Sequence, residues 1–206
     1  MPNHVVLLGD SIFDNGPYVP ANETVSDHLS AILPAGWRST LLAKDGAVVS
    51  SVAEFQIERI PQDATHLVLS VGGNNALAVS AYVLGMKANT IRDALAALAQ
   101  PVQDFSEQYA RLLDILRSRH LPLIVCTVYD AVPGLQVAER MGLSLFNDVI
   151  ARNVIAGGDI MMDLREICTE ADDYSEVSPI EPSSVGGAKI AREILTRIIR
   201  NLACNS

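Results

Sequence analysis

Short apolar runs closed by Gly or Asp alternate along this chain with amphipathic stretches, and few folds accommodate that pattern. Val5-Val6-Leu7-Leu8 ends in Gly9-Asp10, and His66-Leu67-Val68-Leu69-Ser70-Val71 ends in Gly72-Gly73. Leu121 to Val128 ends in Tyr129-Asp130, and Asp159-Ile160-Met161-Met162 ends in Asp163. A weaker run, Ser39 to Ala43, leads into Lys44-Asp45-Gly46. Runs of this length without polar alternation read as parallel strands buried on both faces.

The stretches between them have helical spacing. Residues 23–33 and 52–59 are short helical patterns. Asn89 to Gln100 carries Ile91, Leu95 and Leu98 on one face, with Pro101 as its expected stop. Phe105 to Arg119, Leu143 to Ala156 and Ser184 to Ala203 complete the set. Strand–helix alternation along the whole length implies right-handed crossovers. The expected architecture is a single domain over residues 1–206, a three-layer α/β/α flavodoxin-like fold with about five parallel strands. In such sheets a site lies beyond the C-terminal strand ends.

Composition narrows the partners. Acidic residues outnumber basic ones, 24 to 15, for a net charge of −9, whereas a nucleic-acid binder needs clustered Lys and Arg. No apolar run approaches the roughly 18 residues of a membrane span. Met-Pro-Asn-His at the start lacks the basic-then-apolar form of a signal peptide. Cys126, Cys168 and Cys204 form no CxxC and no zinc-type cluster, so free thiols in a reducing cytoplasm are expected. No cofactor and no metal are expected.

Three strand ends carry chemistry-bearing residues. The first supplies Gly9-Asp10-Ser11, the second Asp45-Gly46-Ala47, and the third Gly72-Gly73-Asn74-Asn75. On neighbouring strands these would bring a hydroxyl, a glycine N–H and a side-chain amide to one point. One nucleophile with two or three oxyanion donors is the minimum for acyl transfer. Taken singly, Gly-Asp-Ser also suits a turn or helix cap, and Gly-Gly-Asn-Asn a tight turn.

These blocks resemble those of the SGNH (GDSL-type) hydrolase family. Gly9-Asp10-Ser11 with Asp14-Asn15 is similar to its first block, and Gly46 to its second. Gly72-Gly73-Asn74-Asn75 is similar to its third, Gly-x-Asn-Asp, with Asn75 in the Asp place. The resemblance spans essentially the whole chain. It implies Ser11 as nucleophile and an oxyanion hole built from the N–H groups of Ser11 and Gly46 and the side chain of Asn74. It also implies hydrolysis of a small carboxylic ester or thioester. An acyltransferase, or a weakly active or inactive relative that binds a small ligand, is the alternative.

The last block departs from the family. Its usual Asp-x-x-His is replaced by Ser178-Pro179-Ile180-Glu181, with Glu181 in the His place and Ser178 in the Asp place. His4, His66 and His120 open strands; six residues at about 3.3 Å each put His66 roughly 20 Å from a strand-end site. His28 alone is not excluded in this way. Glu181 is then either a general base, its pKa raised by burial and Ser178 holding it, or a group that binds a substrate amine or hydroxyl, or a cap of the final helix. Asp10, Asn75, Tyr129 and Ser178 are expected around the substrate. Asp172, Asp173 and Glu176 are expected to be loop charges, one of which could pair with Glu181. The segment from Asn75 to Lys87 and the loop Ala131 to Met141 are candidate pocket walls, the former as an apolar lid or acyl groove.

Overall fold

The computed structural model describes residues 3–204, so Met1 and Pro2 of the N-terminal stretch read above lie outside it. Five strands form one parallel sheet: β1 (His4–Gly9), β2 (Arg38–Leu41), β3 (His66–Ser70), β4 (Leu123–Cys126) and β5 (Ile160–Met162). Their spatial order is β2-β1-β3-β4-β5, the doubly wound order expected above. The order reverses direction between β1 and β3, and clefts form at such switch points.

Among the described residues seven α-helices flank the sheet: α1 (Val25–Ile32), α2 (Val49–Phe55), α3 (Gly73–Val83), α4 (Ile91–Ala96), α5 (Ala99–Arg117), α6 (Val137–Gly157) and α7 (Ser184–Cys204). Successive strand residues feed opposite layers. Val6, Leu8, Leu67, Leu69 and Val125 pack with α2, α5 and α6. Val5, Leu7, Val68, Ile124 and Met162 pack with α1 and α7. Burial on both faces is why these strands lack polar alternation.

The structure corrects two boundaries. Pro101 does not end a helix; it sits in the first turn of α5, where a missing N–H costs nothing, and the break falls at Ala97 and Leu98. Helix α6 begins at Val137 rather than Leu143, because its first turns leave Val137 and Met141 exposed and offer no buried stripe to read. Of the apolar face read over Asn89 to Gln100, Ile91 and Leu95 are exposed, while Leu98 reaches a cavity wall.

Beyond the strand ends, side chains take over from strand partners. The buried Gln56 carboxamide accepts from Gly9 N–H and donates to Gly9 O, both at 2.8 Å. Asn147 on α6 does the same for Val128, again at 2.8 Å each way. Each amide imitates a neighbouring strand where none exists, so the backbone groups stay paired as the sheet splays open. Both residues are polar members of otherwise apolar helical stripes, Val49-Val52-Gln56 and Phe146-Asn147-Ile150. Replacing Gln56 with Leu strands the buried Gly9 N–H and removes one of the two donors to Gly9 O. Urea unfolding should show a loss of about 1–3 kcal/mol, while an equivalent Leu on the exposed face of α2 should cost little.

Candidate active site

The chain leaves β1 in a tight turn. Asp10 N–H donates to Ser70 O at 3.0 Å, keeping the turn on the neighbouring strand. The N–H groups of Phe13 and Asp14 both return to Asp10 O at 3.1 Å, and Asp10 Oδ1 accepts from Ile12 N–H at 3.2 Å. Gly9 (φ +129°) begins this turn so close to β3 that a Cβ would lie 1.8 Å from Ser70 O. Ser11, at the apex, is 6% exposed, and among the described residues its N–H donates to no other group.

The second strand end is held beside the first. Lys44 N–H donates to Gly9 O at 3.0 Å, and Asp14 Oδ2 accepts from Asp45 N–H at 2.9 Å and Lys44 Nζ at 3.2 Å. Tyr18 OH donates to Asp45 Oδ2 at 2.8 Å. Gly46 then turns with φ +77°, a conformation that favours glycine, and its N–H also has no acceptor among the described residues. At the third end, Gly72 caps α3, so Asn74 and Asn75 sit in the helix's first turn. Asn74 donates one Nδ2 hydrogen to Ala47 O at 3.0 Å, which ties it to the Gly46 loop and leaves its second N–H.

Glu181 arrives from the loop before α7. It is 5% exposed, it lines the same cavity as Ser11, and Oε2 has no partner among the described residues. Burial lifts its pKa to about 7; the neighbouring Ser11 hydroxyl opposes that shift and the Asp45 charge adds to it. Asp10, also buried, is raised to about 7 by desolvation against the Ile12 N–H bond, with the Glu181 charge contributing.

The loop is mounted by its main chain. Three successive carbonyls are occupied: Ile180 O by Tyr129 OH at 2.7 Å, Glu181 O by Ser175 N–H at 2.9 Å, and Pro182 O by Asn15 Nδ2 at 3.2 Å. Glu181 N–H donates to Ser178 O at 3.0 Å, so Ser178 meets Glu181 through its backbone.

Asp10, Ser11, Asn74 and Glu181 line one end of a cavity of about 310 Å³. Its other walls are largely apolar: Ala76, Val79 and Val83 of α3, Val132 and Leu135 of the loop after β4, and Leu143 and Phe146 of α6. Tyr129 also contributes to the wall. Asn75 lies elsewhere, its Oδ1 accepting from Val49 N–H at 3.2 Å to fix the start of α2. Asp173 does not pair with Glu181; it is fully buried against Lys189 Nζ at 2.6 Å. Ser183, rather than Glu181, caps α7 through Gly186 N–H at 3.2 Å. No histidine lines the cavity: His4 bonds Thr40 and Asp63, His66 bonds Thr65, and His28 bonds Ser184. Among the described residues no group of three or more His, Cys, Asp or Glu could hold a metal ion. No helix among them is long and apolar enough to cross a membrane.

No protein-family model and no curated protein sequence matches the chain. Solved structures do. An extracellular lipase from Streptomyces rimosus is 18% identical, with a TM-score of 0.68 over 96% of this chain and 99% of that one. Phospholipase A1 from Streptomyces albidoflavus NA297 is 17% identical, also at 0.68, over 96% and 99%. A member of the lipolytic G-D-S-L family from Veillonella parvula DSM 2008 is 14% identical at 0.70, over 94% and 96%. The likeness at these identities is one of architecture, and the chain has the SGNH hydrolase fold.

A carboxyl whose pKa is higher folded than unfolded binds its proton more tightly in the native state. Its contribution to stability therefore falls as pH rises from about 4.5 to about 7. Glu181→Gln escapes that loss. Between pH 4.5 and pH 8 the stability difference should move in the variant's favour by on the order of 2 kcal/mol, read by urea unfolding at both pH values. A pH-independent difference would mean that the Glu181 carboxyl is not desolvated.

Proposed function

We propose that this protein hydrolyses uncharged carboxylic esters through an acyl-Ser11 intermediate, with Glu181 as the general base. The observation that carries the reading is that Ser11 and Glu181, both buried, line the same largely apolar cavity with Asn74. A carboxylate near its ordinary pKa is a weak base for a serine hydroxyl. At about 7, Glu181 matches or exceeds the basicity of free imidazole, about 6.5.

In the first half-reaction Ser11 Oγ bonds to the ester carbonyl carbon as its proton passes to Glu181. The charge that develops on the carbonyl oxygen is met by the uncommitted N–H groups of Ser11 and Gly46 and the second Nδ2 hydrogen of Asn74. The carbon–alkoxy bond then breaks, and the Glu181 carboxyl protonates the departing alcohol. In the second half-reaction Glu181 takes a proton from water as that water attacks the acyl-enzyme. The proton returns to Ser11 Oγ as the carboxylic acid leaves.

The apolar walls supply the site for the acyl chain, and the Asp10, Asp45 and Glu181 carboxylates disfavour an anionic substrate. Each methylene buried along α3 and α6 contributes about 0.8 kcal/mol, roughly a four-fold gain in kcat/KM per methylene until the cavity is filled. A series of 4-nitrophenyl esters from acetate to decanoate should show that rise, and Val79→Trp should end it at a shorter chain. A profile flat in chain length would refute the assignment of the cavity.

Ser11→Ala should abolish turnover and fluorophosphonate labelling. Asn74→Ala should lower kcat by about 10²-fold with KM little changed. Activity should rise with pH through a midpoint near 7 as Glu181 ionises. Full activity in Glu181→Ala would remove it from the mechanism, and absence of both labelling and turnover in the wild type would favour a ligand-binding role.

A further inference from the structure

Asn15 stands four residues beyond Ser11 on the same loop, and its side chain is fully buried. Its carboxamide is committed at both ends. Nδ2 donates to Pro182 O at 3.2 Å, on the residue immediately after Glu181. Oδ1 accepts from Val25 N–H at 3.1 Å, on the first residue of α1, which is itself fully buried. One rigid group thus joins the loop carrying the hydroxyl, the loop carrying the carboxylate, and the helix that packs against α7.

The other ties between these loops are weaker in reach. Ser175 Oγ donates to Tyr18 O while Ser175 N–H donates to Glu181 O at 2.9 Å, but Tyr18 lies on a partly exposed turn seven residues from Ser11. Tyr129 OH holds Ile180 O from the opposite wall and contacts neither Ser11 nor its loop by hydrogen bond. Among the described residues, the Asn15 side chain is the one that ties the nucleophile loop to the main chain of the Glu181 loop through a fully buried hydrogen bond.

We propose that Asn15 is a positioning residue that sets the distance and register between Ser11 Oγ and the Glu181 carboxylate. It touches neither reacting group and acts through the Pro182 carbonyl. Without its donor, the Glu181–Pro182 segment moves away from Ser11 and water reaches the carboxylate. The role rests on the Ser11–Glu181 reading for its effect on rate, and on geometry alone for its effect on Glu181.

The test uses Asn15→Ala, which removes both the donor and the acceptor, and Asn15→Ser, which is too short to reach Pro182 O; both are uncharged, so neither sets a second carboxylate beside Glu181. Thermal unfolding identifies the folded variants. In these, kcat on a 4-nitrophenyl ester should fall about 10- to 100-fold with KM changed less than about three-fold, and the midpoint of the acid limb should move downward as Glu181 becomes hydrated. In a Glu181→Gln background the Asn15 substitution should add almost nothing, because the two act as a unit.

Glu181 is followed independently by carbon-13 NMR titration, where its midpoint should fall in the same variants. A shifted Glu181 midpoint in a protein that hydrolyses no ester would support the positioning role and overturn the hydrolase reading. An unshifted midpoint, losses that add fully to those of Glu181→Gln, or failure of both variants to fold would overturn the positioning role.

Discussion

Everything at this site depends on how the chain leaves β1. Gly9 approaches β3 too closely for any side chain, and its N–H and carbonyl are gripped by the Gln56 carboxamide. Its carbonyl also accepts from Lys44 N–H, bringing the second strand end alongside. Three strand ends are thereby brought together by main-chain and carboxamide contacts alone. The Ser11 turn, the Gly46 turn and the first turn of α3 are then placed by short tethers to that frame, through Asp14, Asn74 and Asp10.

In the proposed mechanism a carboxylate takes the place of an imidazole base, which alters what the surroundings must supply. A histidine base needs a third group to hold its tautomer and ring orientation. A carboxylate has no tautomer, so nothing at position 178 is needed to fix one, and Ser178 provides a turn carbonyl instead. The deficit of a carboxylate is basicity, and desolvation supplies it. That desolvation has a cost for the folded state, which the many main-chain anchors of this loop offset.

Much of this was legible in the sequence. Apolar runs closed by Gly or Asp located the described strands, most clearly β1, β3 and β4, because burial on both faces leaves a signature that neighbouring residues carry by themselves; β2 is partly exposed and gave the weaker run. The residues at the strand ends were legible for the same reason, since Gly-Asp-Ser and Gly-Gly-Asn-Asn are local. What escaped was non-local. Gln56 and Asn147 could have been noticed as amides on apolar stripes, but their targets, Gly9 and Val128, are 47 and 19 residues distant. Asn15 lies in a run that drew attention for other reasons, yet its partner is 167 residues away. Asn75 illustrates the converse: adjacent to Asn74, it turns to α2, because successive residues on a helix face different directions.

The mounting of the loop before α7 separates its shape from the side chain it presents. Its course is written in main-chain carbonyls, at Ile180, Glu181 and Pro182. Such a mount is a socket, indifferent to what is plugged into it. The side chain at position 181 can be exchanged without rebuilding the frame, provided the replacement fits the same pocket, and its protonation equilibrium is then set by its neighbours.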